Sequence, residues 1–122
     1  PVVRDCDALS FAGIEKAITD YGKRARDGKI QLPELQGGVF TISNGGVFGS
    51  LLSTPILNPP QSGVLGLHRV EDRPVVKNGQ IVAGQTMTVT LSADHRVFDG
   101  AVGAQFLGAL KTLLESPALL LV

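Results

Sequence analysis

The chain changes from a strand-like to a helix-like pattern at the stretch DHRVFDG, Asp94–Gly100. Before this stretch, Met87, Val89 and Leu91 alternate with polar residues, as in a half-buried strand. After it, Val102 and the apolar residues that follow recur at three- and four-residue steps, as on one face of a helix. A strand that leads directly into a helix indicates a fold in which helices pack on a sheet. The sequence therefore predicts an α/β fold around this junction.

His95 lies at the junction, where an α/β protein can place a catalytic base. The unperturbed pKa of histidine is close to neutrality, so an imidazole can accept and return a proton there. A carboxylate, Asp99, follows four residues later. The same residues also fit a structural interpretation, with Asp99 as the N-cap of the helix and His95 packed at the strand end. The residues alone leave both interpretations open.

The composition limits the class of protein. A chain of 122 residues can form one domain with a modest core, and 43% hydrophobic residues indicate a globular fold. Eleven basic residues balance 11 acidic ones, so no net charge attracts nucleic acid or an anionic membrane. No apolar run is long enough to cross a bilayer. We therefore expect neither nucleic acid nor a membrane as a partner.

Cys6 is the single cysteine, which excludes a disulfide framework and a thiolate metal site within these residues. We predict that it is a buried, inert thiol. The N-terminal residues Pro1–Asp5 show neither an initiator methionine nor a signal-peptide pattern. We expect the sequence to be a fragment of a longer chain.

Two helices and several strands are predicted along the chain. The first helix spans residues 8–28, with Asp7 or Ser10 as its N-cap and Gly28 as its left-handed end. The second helix spans residues 101–115 and ends before Pro117. Strands are predicted at residues 39–43, 63–68 and 86–91, and the apolar runs 74–76 and 80–82 flank a hairpin turn at Asn78-Gly79. This order predicts a mixed β-sheet with helices on one face, an α+β two-layer sandwich.

Three further features carry no predicted ligand site. The glycine-rich loop Asn44–Gly49 lacks the Lys-Ser/Thr pair of a P-loop and the spacing of a dinucleotide-binding loop. His68 has no Cys, His or acidic partner at metal-ligand spacing, so we interpret it as a structural residue at the end of its strand and predict no metal. The apolar tail Ala118–Val122 would fray into water unless the chain's own core or a neighbouring subunit covered it.

The stretch His95–Gly100 fits the HxxxDG signature of the acyltransferases related to chloramphenicol acetyltransferase. With Asp94 in front, it resembles the version found in the E2 components of 2-oxo acid dehydrogenase complexes. Four upstream blocks resemble the E2 family in the same order: Phe40–Gly49, Thr54–Ser62, Leu65–His68 and Asp72–Val75. The resemblance covers nearly the whole chain and corresponds to about the second half of an E2 catalytic domain. It implies a chloramphenicol acetyltransferase-like fold, with residues 1–122 as a single, partial domain from its C-terminal part.

The resemblance also implies a reaction, the transfer of an acyl group between dihydrolipoamide and coenzyme A. Coenzyme A and lipoyl-lysine are then substrates, the lipoyl domain is expected outside this chain, and no metal takes part. By the match to the signature, His95 is the general base and Ser43 donates a hydrogen bond to the tetrahedral oxyanion. Asp99 assists near the histidine, or it holds the loop and caps the helix. Asp94 and Arg96 are interpreted as structural, orienting the loop through ion pairs.

Different parts of the sequence favour different acyl groups. Residues 44–75 resemble the succinyltransferases of 2-oxoglutarate dehydrogenase complexes, which act in the tricarboxylic acid cycle. Ser92–Val97 and Ala101–Leu107 are closer to the acetyltransferase and branched-chain members. We favour succinyl over acetyl transfer. The alternatives are an acetyl-specific enzyme and a non-catalytic E2-like core scaffold.

Finally, the resemblance implies an assembly. In this family the histidine of one chain meets the serine of its neighbour within a homotrimer, and trimers form a core of 24 or more subunits. C-terminal residues pack between trimers, which agrees with the apolar tail. The E1 and E3 subunits would bind through domains outside this chain. The expected location is the cytoplasm in a bacterium and the mitochondrial matrix in a eukaryote.

Overall fold

The computed structural model describes residues 1–121 and divides the chain into two compact units, Pro1–Val39 and Phe40–Val122. The first unit contains one helix, α1 (Phe11–Arg26). The second contains a three-stranded sheet and a second helix. Among the described residues, no helix is both long and apolar enough to cross a lipid bilayer.

Helix α1 is shorter than the predicted span of residues 8–28. Cys6–Ala8 form a separate 3-10 turn, and Ser10 in extended backbone is the N-cap, with its Oγ accepting the N–H of Gly13 at 3.1 Å. Ser10 is therefore the cap, not Asp7. Gly28 has a φ of +66° and ends the helix in the left-handed conformation, as predicted.

Ionic contacts hold a short 3-10 helix, Leu32–Leu35, in the first unit. Arg24 on α1 donates through Nε to Asp20 at 2.8 Å and through Nη2 to Glu34 at 2.7 Å. These hydrogen bonds raise the pKa of Arg24. The hydrogen bond that Arg24 donates to Glu34 is the main cause that lowers the pKa of Glu34.

The prediction of a buried thiol at Cys6 is wrong, because the thiol is exposed. Its turn precedes α1, where no element covers it within this unit.

The sheet of the second unit is mixed, as predicted. Its strands are β1 (Thr41–Asn44), β2 (Gly63–Lys77) and β3 (Gln80–Ala93), in that order, with β1 parallel to β2 and β2 antiparallel to β3. Strands β2 and β3 are longer than predicted because the runs 74–76 and 80–82 continue them without a break. Asn78 and Gly79 both have positive φ and form the predicted hairpin turn.

A β-bulge interrupts the hairpin near its middle. Leu67 pairs with Val89 and Val70 with Met87, so two residues of β2 lie opposite one residue of β3. The glycine-rich loop closes over this bulge. A Cβ atom at Gly46 would lie 2.5 Å from the carbonyl carbon and oxygen of His68, so only glycine permits the close approach. Gly46 therefore serves backbone packing, whereas Gly49 supplies a positive φ of 81°.

Helix α2 (Gly100–Glu115) agrees with the predicted second helix and packs on β3. The Cβ position of Gly103 lies 3.7 Å from Leu91 Cδ2, and the rings of Phe106 and Phe40 have centroids 5.9 Å apart. A 3-10 helix, Pro117–Leu121, follows α2. Its leucines are exposed, Leu121 to 81%, so the chain's own core does not cover the described part of the tail; Val122 lies outside the described residues.

Candidate active site

His95 is exposed on the short loop between β3 and α2. The loop is tied to the sheet at its start, where the Asp94 N–H donates to the Ser62 carbonyl at 2.8 Å. It is also folded on itself, because the Val97 N–H donates to the Asp94 carbonyl at 2.9 Å. These backbone bonds present the imidazole to solvent from an ordered turn.

Asp94 and Arg96 form an ion pair that orders this loop, as the sequence predicts. Arg96 donates from Nε to Asp94 Oδ1 at 3.0 Å and from Nη2 to Oδ2 at 2.7 Å. The Arg96 backbone N–H also donates to Oδ1 at 3.0 Å. Hydrogen bonds from Arg96 lower the pKa of Asp94 to about 2. The carboxylate therefore stays ionised at neutral pH and brings the residues on both sides of His95 together.

Asp99 is the N-cap of α2. Its Oδ1 accepts the N–H of Val102 at 3.0 Å, and its backbone is extended, as an N-cap requires. The predicted structural role is therefore confirmed. The assisting role of Asp99 near His95 stays a prediction.

Ser43 lies on β1, exposed, and pairs with Gly66 of β2, which in turn pairs with Thr90 of β3. Paired residues of neighbouring strands share one face of a sheet. A Cβ atom at Gly66 would lie 2.5 Å from Thr90 Oγ1 and 3.0 Å from Pro55 Cγ. Thr90 and Pro55 therefore already occupy the space that a side chain at position 66 would need, so only glycine fits there.

The sheet register separates Ser43 from His95 within one chain. Ser43 is level with Thr90, whereas His95 follows Ala93, three residues further along β3 and two strands away. With about 3.3 Å per residue and about 4.8 Å between strands, the backbones at Ser43 and Ala93 are about 14 Å apart. Reacting groups must approach to about 3–3.5 Å. The sheet register therefore separates Ser43 from the strand end that leads to His95.

His68 is 2% exposed and lies inside β2, not at its end as predicted. Its Nε2 is 2.8 Å from the backbone nitrogen of Ser53, and its Nδ1 is 2.9 Å from the carbonyl oxygen of Thr88. The structural interpretation of His68 is thus correct. Sequence reasoning missed Ser53 as its partner, because two residues 15 positions apart show no pattern.

No cluster of three or more metal-ligating side chains forms among residues 1–121.

Comparison with known proteins agrees with this geometry. All 122 residues match the family described as 2-oxoacid dehydrogenases acyltransferase (catalytic domain). The chain belongs to this family. One relative, the dihydrolipoyllysine-residue succinyltransferase component of the 2-oxoglutarate dehydrogenase complex of Rickettsia typhi, is 56% identical over 122 residues. The match covers 100% of this chain and 31% of that protein, so the chain spans about a third of its length.

Solved structures of the acyltransferase family share the fold. The dihydrolipoamide acetyltransferase of Azotobacter vinelandii superposes with a TM-score of 0.93 at 33% identity, over 100% of this chain and 50% of that one. The cubic core of a pyruvate dehydrogenase multienzyme complex also gives a TM-score of 0.93, at 32% identity and with the same coverage. The predicted fold class is therefore confirmed.

Proposed function

We propose that this chain is part of a dihydrolipoamide acyltransferase that moves an acyl group, preferentially succinyl, between dihydrolipoamide and coenzyme A. The observation that carries the proposal is the exposed His95 on a loop ordered by the Asp94–Arg96 ion pair. The 56% identity to a succinyltransferase component supports succinyl over acetyl. The substrates would be coenzyme A and lipoyl-lysine, within a 2-oxoglutarate dehydrogenase complex.

The chemistry requires a base and an oxyanion donor. A thiol attacks a thioester as the thiolate, so His95 accepts the S–H proton of the incoming thiol. Attack on the thioester carbonyl carbon forms a tetrahedral oxyanion, to which the Ser43 hydroxyl donates a hydrogen bond. When the oxyanion collapses, the bond to the other sulfur breaks, and the departing thiolate takes the proton back from His95.

The spacing of these residues supports their assignment. In the Azotobacter vinelandii acetyltransferase, a serine, a histidine and an asparagine were investigated for their role in the catalytic mechanism. That serine precedes the histidine by 52 residues, and the asparagine follows it by four. Ser43, His95 and Asp99 have the same separations. The one difference is an aspartate in place of the asparagine.

The separation of about 14 Å between Ser43 and the end of β3 supports a site shared between two copies. In this proposal the histidine of one chain faces the serine of its neighbour in a homotrimer, and trimers form a larger core that binds E1 and E3 elsewhere. Exposed apolar side chains on the connection between β1 and β2 fit such an interface: Phe48 is 90% exposed and Ile56 91%. Apolar surface of this kind is stable when another chain covers it.

The test measures coenzyme A release from succinyl- and acetyl-coenzyme A with dihydrolipoamide as acceptor, in the full-length protein. We expect faster turnover of the succinyl donor. We also expect His95→Ala to lower kcat by about 10²–10⁴, because the base is lost, with an unchanged particle mass. Retained activity in His95→Ala would remove His95 from the mechanism, and no turnover with either donor would favour the scaffold alternative.

A complementation experiment tests the shared site. His95→Ala and Ser43→Ala subunits, each inactive alone, are assembled together. Some interfaces in the mixed particles then combine an intact histidine with an intact serine, so activity should reappear. A site formed within one chain would give no recovery, because every chain would lack one of the two groups.

A further inference from the structure

The backbone of Ser53 is anchored to the sheet on both sides. Its N–H donates to His68 Nε2 of β2 at 2.8 Å, and its carbonyl accepts the Thr90 hydroxyl of β3 at 3.1 Å. Ser53 belongs to a segment, Leu51–Pro55, that has no strand or helix of its own. The Ser53 Oγ also lies 2.9 Å from His68 Nε2, so three polar contacts with neighbouring strands hold this segment in place.

These contacts define the protonation of His68. A backbone N–H can only donate, so Nε2 must present a lone pair to Ser53. A carbonyl can only accept, so Nδ1 must carry the proton that faces Thr88. At the bulge Thr88 lies opposite two residues of β2. Its carbonyl is therefore available to accept a hydrogen bond from the imidazole of His68. The imidazole is thus neutral, buried and held in a single tautomer.

The anchored segment lies against the face of the sheet that carries Ser43. Ser43 pairs with Gly66, and a Cβ atom at Gly66 would lie 3.0 Å from Pro55 Cγ and 3.4 Å from His68 Cε1. The ring of His68 and the segment that it binds are therefore direct neighbours of the position beside Ser43. A shift of the segment would therefore change the packing on the sheet face at the level of Ser43.

We propose that His68 is a positioning residue: its Nδ1–H tautomer holds Leu51–Pro55 as a fixed wall beside the oxyanion donor Ser43. The inference rests on the proposed function for the role of Ser43. The segment Leu51–Pro55 affects the geometry of the Ser43 hydroxyl and not the proton transfer at His95. A displaced segment therefore lowers kcat more than it raises KM.

Two variants of the full-length protein separate the two hydrogen bonds of His68. In His68→Asn the amide nitrogen can still donate to the Thr88 carbonyl, but the side chain is too short to accept from Ser53. In His68→Gln the longer side chain brings its amide oxygen near the Nε2 position. We expect His68→Asn to speed hydrogen exchange of the Ser53 amide about tenfold, as the loss of one hydrogen bond predicts, and to lower kcat about tenfold. His68→Gln should restore both.

Nitrogen-15 NMR of the wild-type imidazole provides an independent readout, with the Nδ1–H tautomer expected. An Nε2–H tautomer would overturn the inference. So would faster Ser53 exchange in His68→Asn with unchanged kcat, since the segment would then be structural only. No turnover in the wild type with either donor would contradict the proposed function itself, and the positioning role would fall with it.

Discussion

The pairing of Asp94 with Arg96 decides the charge next to His95. Arg96 lowers the pKa of Asp94 to about 2, below the ordinary value of about 3.9. A carboxylate with a depressed pKa stabilises the folded state above its ordinary pKa, and this contribution is lost as the pH falls through its folded value. The loop around His95 should therefore keep its ion pair down to a pH of about 4 and lose it towards pH 2.

This expectation can be tested on a single residue. In Arg96→Gln the side-chain hydrogen bonds to the Asp94 carboxylate are removed while the backbone N–H of residue 96 still donates to it, so the pKa of Asp94 should rise part of the way towards its ordinary value. Carboxyl carbon NMR follows the titration directly. Lys111→Gln removes one positive charge from α2 and serves as the control, with no change expected. An Asp94 that still titrates near pH 2 in Arg96→Gln would show that Arg96 is not the cause.

At the scale of secondary structure elements, α2 depends on its N-cap. Asp99 accepts the Val102 N–H, one of the donors that a helix start leaves without an intrahelical partner. The same residue is the fixed aspartate of the HxxxDG signature. A loss of activity on mutation would therefore have two explanations, a disordered helix start or a missing charge near His95.

Two substitutions at position 99 distinguish these explanations. Asp99→Ala removes the cap and should lower the free energy of unfolding by about 1 kcal/mol, whereas Asp99→Asn retains a good cap and should change it little. Chemical denaturation measures both values. A lower kcat in the stable Asp99→Asn variant would assign a role to the negative charge. Equal destabilisation by both substitutions would contradict the capping role.

At the scale of the whole molecule, the unit Phe40–Val122 buries little of its apolar surface. Among the described residues, Val64 and Leu65 are the only fully buried hydrophobic side chains, and both lie on the central strand β2. Leu119 and Leu121 of the final 3-10 helix are 51% and 81% exposed. Apolar surface of this kind is normally covered by further protein, either more of a longer chain or a neighbouring subunit.

Deletion of Leu119–Val122 in the full-length protein tests this argument. If the tail joins one subunit to another, the deletion should lower the particle mass in light scattering, because apolar contact area between subunits is lost. Circular dichroism should show an unchanged fold, which is the necessary control. A particle of unchanged mass would show that the tail takes no part in assembly.

Long-range pairing lay beyond what the sequence could predict. The strands predicted at residues 63–68 and 86–91 are correct, but the sequence does not show that they continue through the hairpin, because apolar and polar residues do not alternate in its outer half. The buried thiol predicted for Cys6 was wrong for a related reason. A short segment does not reveal whether another element covers it.

The sequence by itself determined the local features: the Asp99 cap, the Asn78-Gly79 turn and the boundaries of α2, while it left both Asp7 and Ser10 open as the cap of α1. Each depends on residues within about four positions of one another, so its cause is present in the sequence. Only the tertiary structure decided that His68 holds Ser53, that Gly46 closes over the bulge, and that the sheet register separates Ser43 from the loop of His95. These relations join residues 15 to 52 positions apart, where spacing has no meaning until the strands have paired.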